Sequence, residues 1–137
     1  MGRDFLDTNV LLYAYSPVDP RKQQIARDLV RRAVLGEAVI STQVLGEFAS
    51  TLMHKIVPTK TPDDVKRILD ILAAIPLVTP DEELVRRAVE ARAAYGIHFY
   101  DGMIVAAAER GRCEKIWSEE LKAGQKYFGV TVVDPFG

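Results

Sequence analysis

"FLDTNVLLYAY", Phe5–Tyr15, is the stretch on which the fold turns. An apolar pair runs into Asp7, and the chain becomes apolar again at once. The pattern reads as a short buried strand that ends on a carboxylate and passes into a helix. In open α/β sheets, ligands bind in the crevice beyond the carboxyl ends of the strands. Asp7 therefore has two readings, a cap of the helix that follows or a member of a site. Spacing alone leaves both open.

Working outward, "AVIS" (38–41), "PLVT" (76–79), "KIWS" (115–118) and "VTVVD" (130–134) repeat the short apolar strand pattern of "DFLDT" (4–8). Helical patterns separate them over Pro20–Leu35, Gln43–Ile56, Pro62–Ile75, Pro80–Tyr95 and Gly102–Arg110. This alternation predicts an α/β protein, a three-layer α/β/α sandwich with a mostly parallel central sheet. With 137 residues and no repeat, low-complexity tract or long linker, residues 1–137 read as a single domain. A chain of this size buries roughly two-thirds of its unfolded surface and folds without disulfides or structural metal.

The formal net charge is −1, so a nucleic-acid ligand would need a local basic patch. The one cysteine, Cys113, has no disulfide partner and reads as a small buried apolar residue. Met1 leads straight into charged residues without a signal-peptide pattern, and Leu6 stands where a myristoylation signal at Gly2 would want Ser or Thr. The longest apolar run, Ile71–Val78, is too short to span a bilayer and contains Pro76. The expectation is a reducing cytoplasmic location and no membrane contact.

Many acids have ready employment. "DPRK" at Asp19, "TPDD" at Thr61 and "TPDEE" at Thr79 place a cap, a proline and acidic residues at helix starts. Those acids serve N-termini. Four places remain. Asp7 ends the first strand. Asp101 opens the apolar helix in "HFYDGMIVAAAERG". Glu47 lies opposite the stripe Leu45, Phe48, Ala49, Leu52 and Ile56 of its helix, which taken alone makes it a solvated residue. "SEEL" delivers Glu119 and Glu120 at the end of a strand. Three of these fall at strand–helix junctions along one edge of the sheet, where carboxylates repel unless a cation sits among them. Oxygen donors with few histidines nearby favour Mg²⁺ or Mn²⁺ over zinc.

"FLDTNVLLYAY", "STQVLGEF" and "FYDGMIVAAAERGRCEKIWSEEL" together resemble a PIN domain of the VapC toxin-ribonuclease type, in order and over nearly the whole chain. The resemblance implies a Mg²⁺- or Mn²⁺-dependent endoribonuclease that leaves 5′-phosphate and 3′-hydroxyl ends. By position, Asp7, Glu47 and Asp101 match its three core acids and Glu120 a fourth, more variable one. Asn9 and Ser118 match supporting polar residues. The fourth acid is often aspartate, and the residue after Asp101 is commonly alanine. Here Glu120 and Gly102 stand instead, and Gly102 is expected to loosen the helix start. The resemblance also implies an RNA substrate, a cognate antitoxin and a homodimer, with Ile56 and Val57 as candidate dimer contacts. Lys55, Lys60, Arg110, Arg112 and Lys122 are candidate phosphate-holding cations, unranked.

Other chemistries are weaker. His54 and His98 would serve as an acid–base pair acting through the ribose 2′-hydroxyl. A haloacid-dehalogenase phosphatase would want a second aspartate where Asn9 stands. A non-catalytic PIN-fold module that binds RNA or protein remains the alternative.

Overall fold

The computed structural model describes residues 3–137. Met1 and Gly2, on which the reading of the N-terminal start rests, lie outside the described residues. The chain runs β1 (Arg3–Leu6), α1 (Thr8–Ala14), α2 (Pro20–Val34), β2 (Ala38–Ser41), α3 (Thr42–His54), α4 (Pro62–Leu72), β3 (Leu77–Val78), α5 (Glu82–Tyr95), α6 (Phe99–Arg110), β4 (Cys113–Trp117), β5 (Lys126–Tyr127) and β6 (Val130–Val133). The strands form one sheet in the order β3-β2-β1-β4-β6-β5. All neighbours are parallel except β5 and β6. Helix α1 packs on α2 and α3, α5 packs on α6, and α6 lies along β2, β4 and β6. The result is the expected three-layer α/β/α sandwich. Among the described residues, no helix is long and apolar enough to cross a membrane.

The core follows from the residue pattern. β2 is buried at every position, as expected of a strand covered on both faces. Helix α6 is buried continuously from Gly102 to Ala108, so it is apolar all round rather than striped. A Cβ on Gly102 would lie 2.7 Å from the Ala88 carbonyl oxygen of α5. Glycine is thus what lets the two helices approach, and the expected loosening of a helix start does not apply: α6 begins three residues earlier, at Phe99, with His98 as its cap. Cys113 is buried and free, and burial pushes its thiol up to about 12.

Two further differences have physical causes. Helix α5 is capped by Asp81 and not by Thr79, because Asp81 Oδ1 accepts the Leu84 N–H at 3.0 Å. Strand β5 was not predicted. Its hairpin to β6 turns on Phe128 (φ 47°) and Gly129 (φ 82°), a pair of left-handed residues usually written Asn-Gly. Phe128 is held there by the Arg87 guanidinium, 3.5 Å above its ring, and by its own N–H, which donates to the Tyr95 hydroxyl at 2.9 Å.

Both edges of the sheet are two-residue strands. β3 follows directly on Pro76, and β5 lies between Gly124 and Gly129, both in the left-handed region, with Lys126 exposed.

Candidate active site

β1 and β4 are adjacent, and the strand order reverses about β1. This is the kind of position at which α/β sheets open a crevice. Asp7 emerges from β1 and Ser118 from β4, with the Asp7 N–H donating to the Trp117 carbonyl at 3.0 Å. Asp7 is both the N-cap of α1 and a buried carboxylate, 6% exposed. Its Oδ1 accepts the Thr8 N–H at 2.7 Å. Its Oδ2 accepts the Ser118 hydroxyl at 2.7 Å and the Asn9 amide at 3.4 Å.

Ser118 Oγ in turn accepts the N–H groups of Glu120 (3.2 Å) and Leu121 (3.1 Å). Its one hydrogen therefore goes to Asp7, and its lone pairs close the turn that follows β4. Asn9 links the same two segments, because its Oδ1 accepts the Glu119 N–H at 3.1 Å. A strand continuing past Trp117 would put Ser118 and Glu120 on one face of an extended segment. β4 stops at Trp117, so the placement is made by this turn instead.

Glu119 and Glu120 part company there. Glu119 accepts Tyr13 Oη–H at 2.9 Å and Lys22 Nζ–H at 2.8 Å, and Lys22 also lies over the Tyr13 ring. Glu120 is exposed and lines a cavity of about 420 Å³ with Thr8, Asn9 and Glu47. Glu47, also exposed, lines this cleft too. It accepts Gln43 Nε2–H at 2.6 Å and Thr8 Oγ1–H at 3.3 Å, and Gln43 further donates to the Tyr100 carbonyl, beside Asp101. Asp101 sits half-buried in the first turn of α6. Thr8 and Gln43 were not picked out from the sequence. Gln43 stands four residues before Glu47, a helical pairing distance that could have flagged it.

The four acids feel one another. Burial pushes Asp7 up to about 6, against the lowering effect of the Ser118 and Thr8 hydrogen bonds, with Glu120 and Glu47 adding repulsion. Glu120, exposed but partly desolvated at the cleft wall, is likewise raised, by that desolvation first and then by Asp101, Glu47 and Glu119. Among the described residues none of the four forms an ion pair. Nor do three or more His, Cys, Asp or Glu side chains stand close enough to hold an ion as they are placed. The fit to a hard divalent cation is one of donor chemistry and charge: oxygen donors only, repelling and uncompensated.

The remaining sequence candidates have other surroundings. His98 caps α6 through Nδ1, which accepts the Tyr100 N–H at 3.1 Å, while His54 is exposed in the last turn of α3. The two do not form a pair on one element. Arg110 is held by Asp81 at 2.6 Å. Arg112 and Lys122 are exposed, Lys60 is half-buried, and Lys55 lines the acidic cavity.

Residues 5–123 match the family model of the PIN domain. No curated protein matches by sequence. Among solved structures, the chain is similar to a toxin–antitoxin complex from Klebsiella pneumoniae, with TM-score 0.71 and 21% identity over 96% of this chain and 97% of that one. It is similar to a DNA-bound VapBC from Salmonella typhimurium, with TM-score 0.70 and 18% identity over 98% and 99%. It is also similar to the Mycobacterium tuberculosis toxin VapC20, described as cleaving the sarcin–ricin loop, with TM-score 0.69 and 16% identity over 93% and 98%. At these identities the likeness is one of fold.

Proposed function

The chain belongs to the PIN-domain family, and from that membership we propose that it is a Mg²⁺- or Mn²⁺-dependent endoribonuclease, the toxin of a toxin–antitoxin pair. The observation that carries the reading is Asp7: a buried carboxylate raised to about 6, facing Glu47 and Glu120 without a cation in contact. Structural proteins seldom hold a charge in that condition, whereas functional sites do so regularly.

Asp7, Glu47, Asp101 and Glu120 would hold the ion. Bound there, a divalent cation supplies charge for the phosphoryl oxygens and lowers the pKa of water in the site. Ser118 and Asn9 fix the direction in which Asp7 presents its oxygens. Thr8 and Gln43 hold Glu47 towards the cleft. Hydrolysis adds a water oxygen to phosphorus and breaks the bond to the 3′-oxygen, which leaves with a proton. The products are 5′-phosphate and 3′-hydroxyl ends, and no histidine base is used.

Residues 1–137 act as one nuclease domain. The partner is a cognate antitoxin that places an arginine or lysine among Asp7, Glu47 and Asp101, replacing the cation's charge. Solved neighbours are toxin–antitoxin complexes, which supports this partner. The working form is a homodimer. Val57, 91% exposed, is its better contact, because Ile56 packs against the core.

The test is to incubate the purified chain with RNA and Mg²⁺ or Mn²⁺, then with EDTA, and to map the product ends. Cleavage that depends on metal and leaves 5′-phosphates is expected. Cleavage that persists in EDTA, or that leaves 2′,3′-cyclic phosphates, overturns the reading. Binding without cleavage in either metal favours a non-catalytic module.

A further inference from the structure

The cavity that holds Glu47 and Glu120 does not end at the acids. It continues along α3 past Gly46, Ser50 and Thr51 to Lys55, with Leu12 of α1 on the opposite wall. Glu47, Ser50, Thr51 and Lys55 follow the i, i+3, i+4, i+8 spacing of one helix face. At 1.5 Å per residue, Glu47 and Lys55 lie about 12 Å apart along the axis, which is longer than a single nucleotide. The groove is therefore graded. Carboxylates occupy one end, two hydroxyls the middle and an ammonium the far end.

Lys55 has no ion pair or side-chain hydrogen bond among the described residues. Of the other cations, Lys22 is spent on Glu119, and Arg110 on Asp81. Gly46 keeps the groove open: a Cβ there would meet nothing within 4 Å, and its φ is not in the left-handed region. Packing and backbone conformation do not require glycine at this position, although glycine weakens a helix interior.

We propose that the groove between α1 and α3 is the track of an RNA strand flanking the cut, with Lys55 holding a backbone phosphate, Ser50 and Thr51 offering hydrogen bonds to the nucleotide between, and Gly46 giving the strand room. This inference rests on the nuclease reading above and ranks cations that the sequence left unranked. The ligand class is a single strand, because the polar groups lie in one line along one wall of the groove, and single strands are held by tracking their phosphates.

The experiment measures kcat and KM of the full chain on an unstructured oligoribonucleotide, over a range of salt, for wild type, Lys55→Met, Gly46→Leu and Lys122→Met. Lys55→Met is expected to raise KM about tenfold with kcat little changed, the loss of one charge-assisted contact. It should also reduce the slope of log(kcat/KM) against log[salt] by about 0.7, the share of one phosphate on a single strand. Gly46→Leu should raise the melting temperature, since leucine favours helix, and yet raise KM by filling the groove. Lys122→Met should change neither quantity as much. An unchanged KM and salt slope in Lys55→Met overturns the proposal. So does a Gly46→Leu variant that is more stable and binds normally. If wild type cuts no RNA in either metal, the nuclease reading has failed. If wild type cuts and these variants match it, only the groove assignment has failed.

Discussion

Asp7 and Asp81 perform the same local task and live in opposite conditions. Each caps a helix, and each accepts a backbone N–H near its start. Asp81 is on the surface, where the Arg110 guanidinium, followed by the Leu84 N–H, holds its carboxyl below the usual range. Asp7 is buried, has no cation in contact, and is raised to about 6. A capping hydrogen bond therefore says nothing about whether a carboxylate is at rest. That is decided by solvent and by groups from distant segments, here the Glu47 and Glu120 charges, which raise it, and the Ser118 hydroxyl, which lowers it.

The contrast can be broken most severely by removing each charge in turn. Asp7→Asn is expected to lower RNA cleavage on the order of 10³-fold, as the loss of a charge that acts in the reaction. Asp81→Asn should leave cleavage unchanged. Comparable losses, measured as kcat/KM on one RNA, would erase the distinction.

The next effect is in stability against pH. A carboxyl raised from 3.8 to about 6 on folding favours the folded state fully below 3.8 and loses that advantage as pH rises through about 6. At ~1.4 kcal/mol per unit, Asp7 accounts for a fall of up to about 3 kcal/mol. Asp81, being lowered, works the other way: its contribution is present above 3.8 and lost as pH falls through its folded value. In EDTA, then, the melting temperature should drop between pH 5 and pH 7, and Asp7→Asn should flatten that slope. Its absolute stability at pH 7 should lie near wild type. Relief of burial is offset by an asparagine amide meeting the Ser118 hydroxyl, which has only a donor to give at Oδ2. Added Mn²⁺ should raise wild type most at pH 7, because an ion binds the ionised acid. A slope that survives Asp7→Asn would assign it elsewhere.

The smallest effect separates neighbours. Glu120→Gln should lower cleavage about 10- to 100-fold. Glu119→Gln should cost only a few-fold, because that side chain is turned away to Tyr13 and Lys22. Equal losses would mean that the turn after β4 does not sort the two acids.

The strands around Asp7, the parallel order and the helix starts at Asp19 and Thr61 were legible because each is written in a few adjacent residues. The site was legible only in part. Asp7, Asp101 and Glu120 stand at junctions that a pattern can mark. Glu47 looks solvated in its own helix and gains meaning only when α1 brings Thr8 against it. Strand β5 was hidden because its turn uses Phe128, whose left-handed backbone is held by Arg87 and Tyr95 of the distant helix α5. The role of Gly102 was hidden for the same kind of reason: the atom that forbids a methyl belongs to Ala88.

The short edges of the sheet bear on how copies of this chain meet. A long bare strand offers a row of unpaired N–H and C=O groups that another chain can zip onto. Here one border is two residues behind a proline, and the other is two residues closed by a hairpin with a lysine on it. Neither can template a second sheet. Crowded copies are thus steered away from fibrous aggregation, and whatever self-recognition the protein has lies on its helices and loops, off the sheet borders.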